Sequence, residues 1–186
     1  MPTHHSRTLE LFFSGSVADK LQRAQTLYRT YGSTLLAVSG VRASLADLDR
    51  LLNELRSQMA AMDMGSQCAR CGARPDGGCC SAYMASNTDT ILLLINLLGG
   101  TEIHLLSGDE TSCGFLGPDG CTLPIKPMFC LNYNCSHIQR SGSAADLVEL
   151  ERRAGSLLTR QTELEGELIR LLAAIDLDRC TSDLNP

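Results

Sequence analysis

The sequence predicts a mainly α protein: an antiparallel bundle of three long helices with a cysteine-rich module inserted before the third. Three observations point there. Apolar residues recur at alternating three- and four-residue steps through 17–38, 45–62 and 147–175. A Ser-x-x-Asp tetrad opens each of these runs. Eight of the nine cysteines fall between Cys68 and Cys135, and only Cys180 lies outside. The expected divisions are an N-terminal helical hairpin over 1–64, a metal-binding module over 65–142 and a long C-terminal helix over 143–186.

The first tetrad is Ser16-Val17-Ala18-Asp19. Its serine oxygen accepts from a free backbone N–H, and its acid favours the positive end of the helix. Val17, Leu21, Ala24, Tyr28, Tyr31, Leu35 and Val38 then mark one face. Gly32 interrupts that helix at a cost of about 1 kcal/mol relative to alanine, and Gly40 is the expected C-cap. Before the tetrad, Leu9, Leu11, Phe12 and Phe13 are apolar and expected to dock, while His4 and His5 belong to a frayed terminus or a tag remnant.

The second helix is expected from Ser44-Leu45-Ala46-Asp47, with Leu45, Leu48, Leu52, Leu55, Met59 and Met62 on its face. Gly65 stands where a left-handed cap would end it. The short 39–43 link then folds the first two helices into a hairpin. The third helix opens at Ser143-Ala144-Ala145-Asp146 and carries Leu147, Leu150, Ala154, Leu157, Gln161, Leu164, Leu168, Leu171 and Ile175. It should run roughly 45–50 Å. Leu158 and Leu172 widen its stripe, which suits a bundle; part of the stripe is also available for a homodimer. Within the insert, Asn87-Thr88 should cap a buried helix over 89–98 that ends at Gly99-Gly100. Residues 101–106 should form a short strand.

Composition excludes several classes. The net charge is −5, and no segment is basic: residues 1–63 carry seven basic and six acidic groups, 64–142 four and six, 143–186 five and nine. The phosphate-neutralising contribution that drives nucleic-acid binding is missing. The longest apolar run, Ile91 to Leu98, falls short of the roughly 20 residues of a membrane helix, and no secretory signal opens the chain. A cytoplasmic location is expected, where clustered thiols mean metal or redox chemistry rather than a disulfide frame.

The thiols come in pairs. Cys68-Ala-Arg-Cys71-Gly72 reads as a turn that brings two thiolates to one metal, the glycine permitting the positive φ that aims N–H groups at sulfur. Adjacent side chains point apart in extended chain, so Cys79-Cys80 should belong to two centres or to one multinuclear cluster, or divide into one ligand and one core thiol. Pro118-Asp119-Gly120 is a turn that folds Cys113 and Cys121 together, with Phe115 and Leu116 as a shield. Pro124 and Pro127 stiffen the approach to Cys130, and Cys135 follows. Eight thiols, Cys68, Cys71, Cys79, Cys80, Cys113, Cys121, Cys130 and Cys135, divide into two four-thiolate sites. Such sites suit zinc ions, or iron–sulfur clusters or iron. His137 is a candidate substitute ligand. His104, in an apolar stretch, is expected in the core, and Cys180 is a bystander.

These cysteines resemble the YkgJ-type cysteine-cluster family of zinc- or iron-chelating domains. The resemblance rests on Cys68-x-x-Cys71 followed by Cys79-Cys80, on Cys113-Gly114-Phe115-Leu116 and Gly120-Cys121, and on Pro127-x-x-Cys130. Here seven residues precede the Cys pair, Lys126-Pro127 stands where the family has Arg-Pro, and Leu123-Pro124 where it has Ile-Tyr. The resemblance implies metal binding and no particular reaction.

The expected function is therefore a metal-binding protein, most simply with zinc in one or two cysteine sites. An iron–sulfur protein in electron transfer, sensing or modification chemistry is the alternative, and a helical adaptor with a structural metal a third. No catalytic constellation is visible. The histidines form no set with a nucleophile, Asp109-Glu110 and Asp176/Asp178 read as solvated surface, and no phosphate loop occurs.

Overall fold

The computed structural model describes residues 10–72, 78–106, 112–131 and 135–182, with side chains in the last helix up to Ile175. The chain forms a helical turn at 10–13 (α1), then α2 (Val17–Ala37), α3 (Ser39–Ala61), α4 (Met64–Gly72), α5 (Ala82–Ser86) and α6 (Thr90–Leu98). A hairpin of β1 (Leu116–Gly117) and β2 (Gly120–Cys121) follows, then a 3-10 helix (Met128–Leu131), α7 (Ser136–Ser141) and α8 (Ala144–Ser182). The protein is mainly helical, as the periodicity predicts. His4, His5, Leu9, Asp109 and Glu110 lie outside the described residues, as do the side chains of Asp176, Asp178 and Cys180.

Two of the three tetrads cap helices. At Ser16 the Asp19 N–H donates to the serine hydroxyl at 3.2 Å, and the Ser16 N–H donates to the Asp19 carboxylate at 2.9 Å. Ser143 and Asp146 repeat this at 3.2 and 3.1 Å. Ser44 does not cap. It lies buried inside α3, which starts five residues earlier at Ser39. The reason lies in the joint. Val38 alone leaves the helical region, at φ −71° and ψ 120°, and serves as both the end of α2 and the start of α3. Arg42 donates to the free carbonyls of Leu36 (2.7 Å) and Ala37 (3.1 Å), doing for the end of α2 what a glycine cap would do. Gly40 is thus helical rather than a cap, and α2 continues through Gly32.

A one-residue joint is shorter than the loop of an ordinary helical hairpin. In place of the expected hairpin, α3 runs along α8 and α2 packs on α6. The α3–α8 pair is antiparallel: Gln58 donates to the Asp146 carbonyl at 3.1 Å, and Arg160 reaches the Asp47 carboxylate at 3.0 Å. The stripe of α8 is covered within the single chain, since Leu150, Leu157, Leu164, Leu168 and Leu172 are all buried.

At the centre lies α6. Its N-cap is Asp89, which accepts from the Leu92 N–H at 2.8 Å, rather than Asn87-Thr88. Gly99 ends it and Gly100 turns the chain at φ +83°. Every residue of α6 is buried. Each of its large aliphatic side chains contributes roughly 1.5–3 kcal/mol of transfer free energy. One polar residue sits among them. The Asn96 amide donates to the carbonyls of Leu92 and Ile125, both at 2.9 Å, and its oxygen accepts from the Ile125 N–H at 2.9 Å. That pairing ties the core helix to the segment before Cys130.

Where α2, α6 and α8 meet, charges are drawn inside. Lys20 donates to the Ser86 carbonyl at 2.8 Å, and Gln161 donates to Glu165 at 2.9 Å. Burial raises the carboxyls of Asp89 and Glu165 above their ordinary range and lowers the Lys20 ammonium. Among the described residues, no helix is long and apolar enough to cross a membrane.

Candidate metal centre

The chain after α3 turns sharply. Asp63 takes φ +49°, and Gln67 donates back to the Met62 carbonyl at 2.9 Å, so a new helix starts at Met64. Cys68 and Cys71 therefore lie one helical turn apart, not in the expected metal-binding turn. The stretch holds neither proline nor a β-branched residue, so nothing local opposes the helix. Gly65 is the second residue of this helix and not the cap of the one before it.

Cys79 and Cys80 follow in a tight turn, in which the Ser81 N–H donates to the Cys79 carbonyl at 3.0 Å. Both side chains line one space, whereas the expected extended backbone would have sent them apart. Hydrogen bonding between the two side chains holds Cys79 down to about 6 and pushes Cys80 far above the ordinary thiol range. Ser81 then caps α5, accepting from the Met84 N–H at 3.3 Å.

The predicted turn at Pro118-Asp119-Gly120 forms the hairpin. Leu116 pairs with Cys121 and Gly117 with Gly120, the latter at φ +106°. Phe115 is buried beneath it, and its carbonyl accepts from the Thr122 N–H at 2.8 Å. The fold-back brings Cys121 near Cys113: burial raises Cys113 first, and the neighbouring Cys121 charge adds to the rise. Cys130, on the 3-10 helix, is pushed up to about 12 by burial and then by the charges of Cys121 and Cys113. Cys135 is the N-cap of α7. The expected strand over 101–106 does not form; the Leu106 N–H donates to the Gly114 carbonyl at 2.8 Å, which ties this stretch to the hairpin region.

These elements enclose one chamber of about 550 Å³. Cys68 enters from α4, Cys79 and Cys80 from the turn, Cys113 and Cys121 from the hairpin region, and Cys130 and Cys135 from the segments that follow. Cys71 is the expected ligand that does not line it. Its sulfur lies against Gly78, where a Cβ would stand 2.8 Å away. Seven of the eight expected thiols, on both sides of the Cys79-Cys80 pair, face this one space. Among the described residues, no three His, Cys, Asp or Glu side chains stand in an arrangement that could hold one metal ion.

The remaining wall is apolar, apart from the exposed Asp119 on the hairpin turn and two cations that cysteine spacing alone did not single out. Lys126 and Arg56 both line the chamber. The Lys126 charge favours the thiolate forms of Cys68 and Cys130, opposing the effect of burial. Lys126 had a visible signal, its place before Pro127 in the cysteine module. Arg56 had none, because it comes from α3, outside the module. The histidines stand apart. His104 is exposed and pairs with Glu102 at 3.0 Å instead of packing in the core, and His137 is exposed on α7.

No family model matches this chain, and neither a curated protein nor a solved structure matches it.

Proposed function

We propose that this protein binds a thiophilic metal through the thiols of the chamber. The observation that carries the reading is the convergence of seven cysteines, from segments spread over 68–135, on one largely apolar space. A hydrophobic core gains nothing from seven thiols where aliphatic residues would pack as well. Their buried thiols hold their protons at neutral pH, because burial raises Cys68, Cys113 and Cys130. A soft cation reverses that balance, displacing the protons and neutralising the thiolates it binds. Zinc is the simplest occupant, since four thiolates complete its tetrahedron. The resemblance to cysteine-cluster chelating domains points the same way.

A second reading, an iron–sulfur cluster, is favoured by the continuity of the chamber. Several irons in one cluster draw on thiolates spread around a single space, in a hydrophobic shell of the kind that Phe115, Leu123 and Leu131 supply.

Anaerobic purification with elemental analysis and a visible spectrum separates the two. Colourless protein with stoichiometric zinc supports the first. Brown protein with iron and acid-labile sulfide supports the second. Protein that carries no metal, and takes up neither zinc nor iron and sulfide when reduced, overturns both.

A further inference from the structure

Arg56 and Lys126 line the chamber with no salt bridge or hydrogen bond from either side chain to a described residue. Arg50, Arg152, Arg153 and Arg160, by contrast, all pair with carboxylates. The two cations share one end of the chamber. Arg56 and Pro124 line both the chamber and a smaller cavity of about 240 Å³ beside it, and Lys126 comes two residues after Pro124. Arg56 is exposed and Lys126 half-buried, so this end opens to solvent. The lining carboxylates are Asp119 in the chamber and Asp49 in the smaller cavity. Both are exposed, Asp49 accepts from the Asn53 amide at 3.4 Å, and neither forms a salt bridge with Arg56 or Lys126.

Behind this end the wall is apolar. Leu55, Met64, Phe115, Leu123 and Leu131 are buried in it, and thiols that keep their protons behave as small apolar groups. The volume of about 550 Å³ falls in the usual range of small-molecule pockets. Unpaired cations at the open end and an apolar interior complement a molecule with an acidic head and a hydrocarbon tail. We propose that the chamber binds an aliphatic carboxylic acid, its carboxylate at Arg56 and Lys126 and its chain among Leu55, Phe115, Leu123 and Leu131. The guanidinium fork takes a carboxylate through paired hydrogen bonds, and the ammonium adds a point charge. Burial of the chain strengthens binding about fourfold per methylene. No covalent bond forms or breaks. The inference draws on the cations and the apolar wall, and does not depend on the thiolate–metal reading.

The test is isothermal titration calorimetry of the reduced full chain, its metal content measured beforehand, with decanoate, octanoate and the uncharged 1-octanol. Wild type is compared with Arg56→Gln and Lys126→Gln, and with Arg50→Gln as a control on the same helix. Circular dichroism checks folding, and the comparison of octanoate with 1-octanol on wild type decides if a variant fails that check. The expected result is one decanoate per chain, with octanoate about fifteenfold weaker for its two fewer methylenes. The alcohol should bind about tenfold or more weaker than octanoate. Each cation variant should lower decanoate affinity about tenfold, the loss of a hydrogen bond to a charged group, and leave 1-octanol unchanged. Arg50→Gln should match wild type. An alcohol that binds as tightly as the acid overturns the proposal. So do folded cation variants that hold decanoate as tightly as wild type, and so does a wild type with no saturable decanoate binding. None of these outcomes touches the thiolate–metal reading, which the metal content decides separately.

Discussion

Gly65 and Gly120 meet backbone to backbone where α4 crosses the hairpin. A Cβ on Gly120 would lie 3.3 Å from the Gly65 Cα, and one on Gly65 would lie 2.7 Å from the Asp119 carbonyl oxygen. This contact closes one side of the thiol chamber. Neither partner can yield by rotating a side chain, since the atoms in the way are main chain. Gly65→Ala should therefore push α4 off the hairpin and cost about 1–3 kcal/mol, the usual range for overpacking. Urea unfolding measures it, and an unchanged midpoint would show that the crossing has room to spare.

Asn96 and Ile125 make the second tie. Removing the amide in Asn96→Ala leaves the buried N–H and C=O of Ile125 without these partners. Unsatisfied buried groups cost about 1–3 kcal/mol each, so the total loss should be about 2–6 kcal/mol. Hydrogen exchange should quicken at Ile125 as well as in α6. A loss confined to α6 would mean that the tie does not hold the 124–127 segment.

The thiols should not be equivalent. Cys130 lines the chamber and Cys71 does not. Cys130→Ser should lower metal content to less than half of wild type, while Cys71→Ser keeps most of it. Both should retain their helical circular dichroism, because the α3–α8 and α2–α6 packing does not depend on the cysteines. Equal losses in the two variants would return Cys71 to the ligand set.

Glu165 makes a prediction about pH. Burial raises its carboxyl above the ordinary value of 4.5, and Asp89 adds to the rise. A carboxyl raised on folding binds its proton more tightly in the folded state. Its stabilising contribution is full below the unfolded value and is lost as pH rises through the folded one. Wild-type stability should therefore carry a downward component as pH rises above about 4.5. Glu165→Gln should remove that component, and so gain on wild type at pH 7 more than at pH 4. Thermal melts at the two pH values decide it, and a larger gain at pH 4 would reverse the argument.

Much of the helical frame was legible because its causes are local. The Ser16 and Ser143 tetrads cap as read, since a serine oxygen and an aspartate three residues on need only each other and the helix end. The α6 segment was legible as a buried helix because no exposed surface element is apolar on every side. Ser44 misled for the converse reason. Its tetrad has the same serine and aspartate, but Arg42 had already supplied the end of α2 with donors, and the helix had begun again at Ser39. Asn96 was visible only as a break in an apolar run. Its use came from Ile125, 29 residues away.

Local sequence specifies the helices with their caps, the turn at Pro118-Asp119-Gly120 and the concentration of thiols in one module. Tertiary structure alone decided how they are grouped. It paired α3 with α8 and α2 with α6, placed Cys68 and Cys71 on a helix so that only one lines the chamber, and turned Cys79 and Cys80 to the same side. It also brought Arg56 and Met59 from α3 to stand among cysteines of a distant segment. Capping and turn formation act within a few residues, so the local sequence contains all their terms. A shared cavity depends on backbones meeting across the fold, as at Gly65 and Gly120, and spacing along the chain carries no record of that.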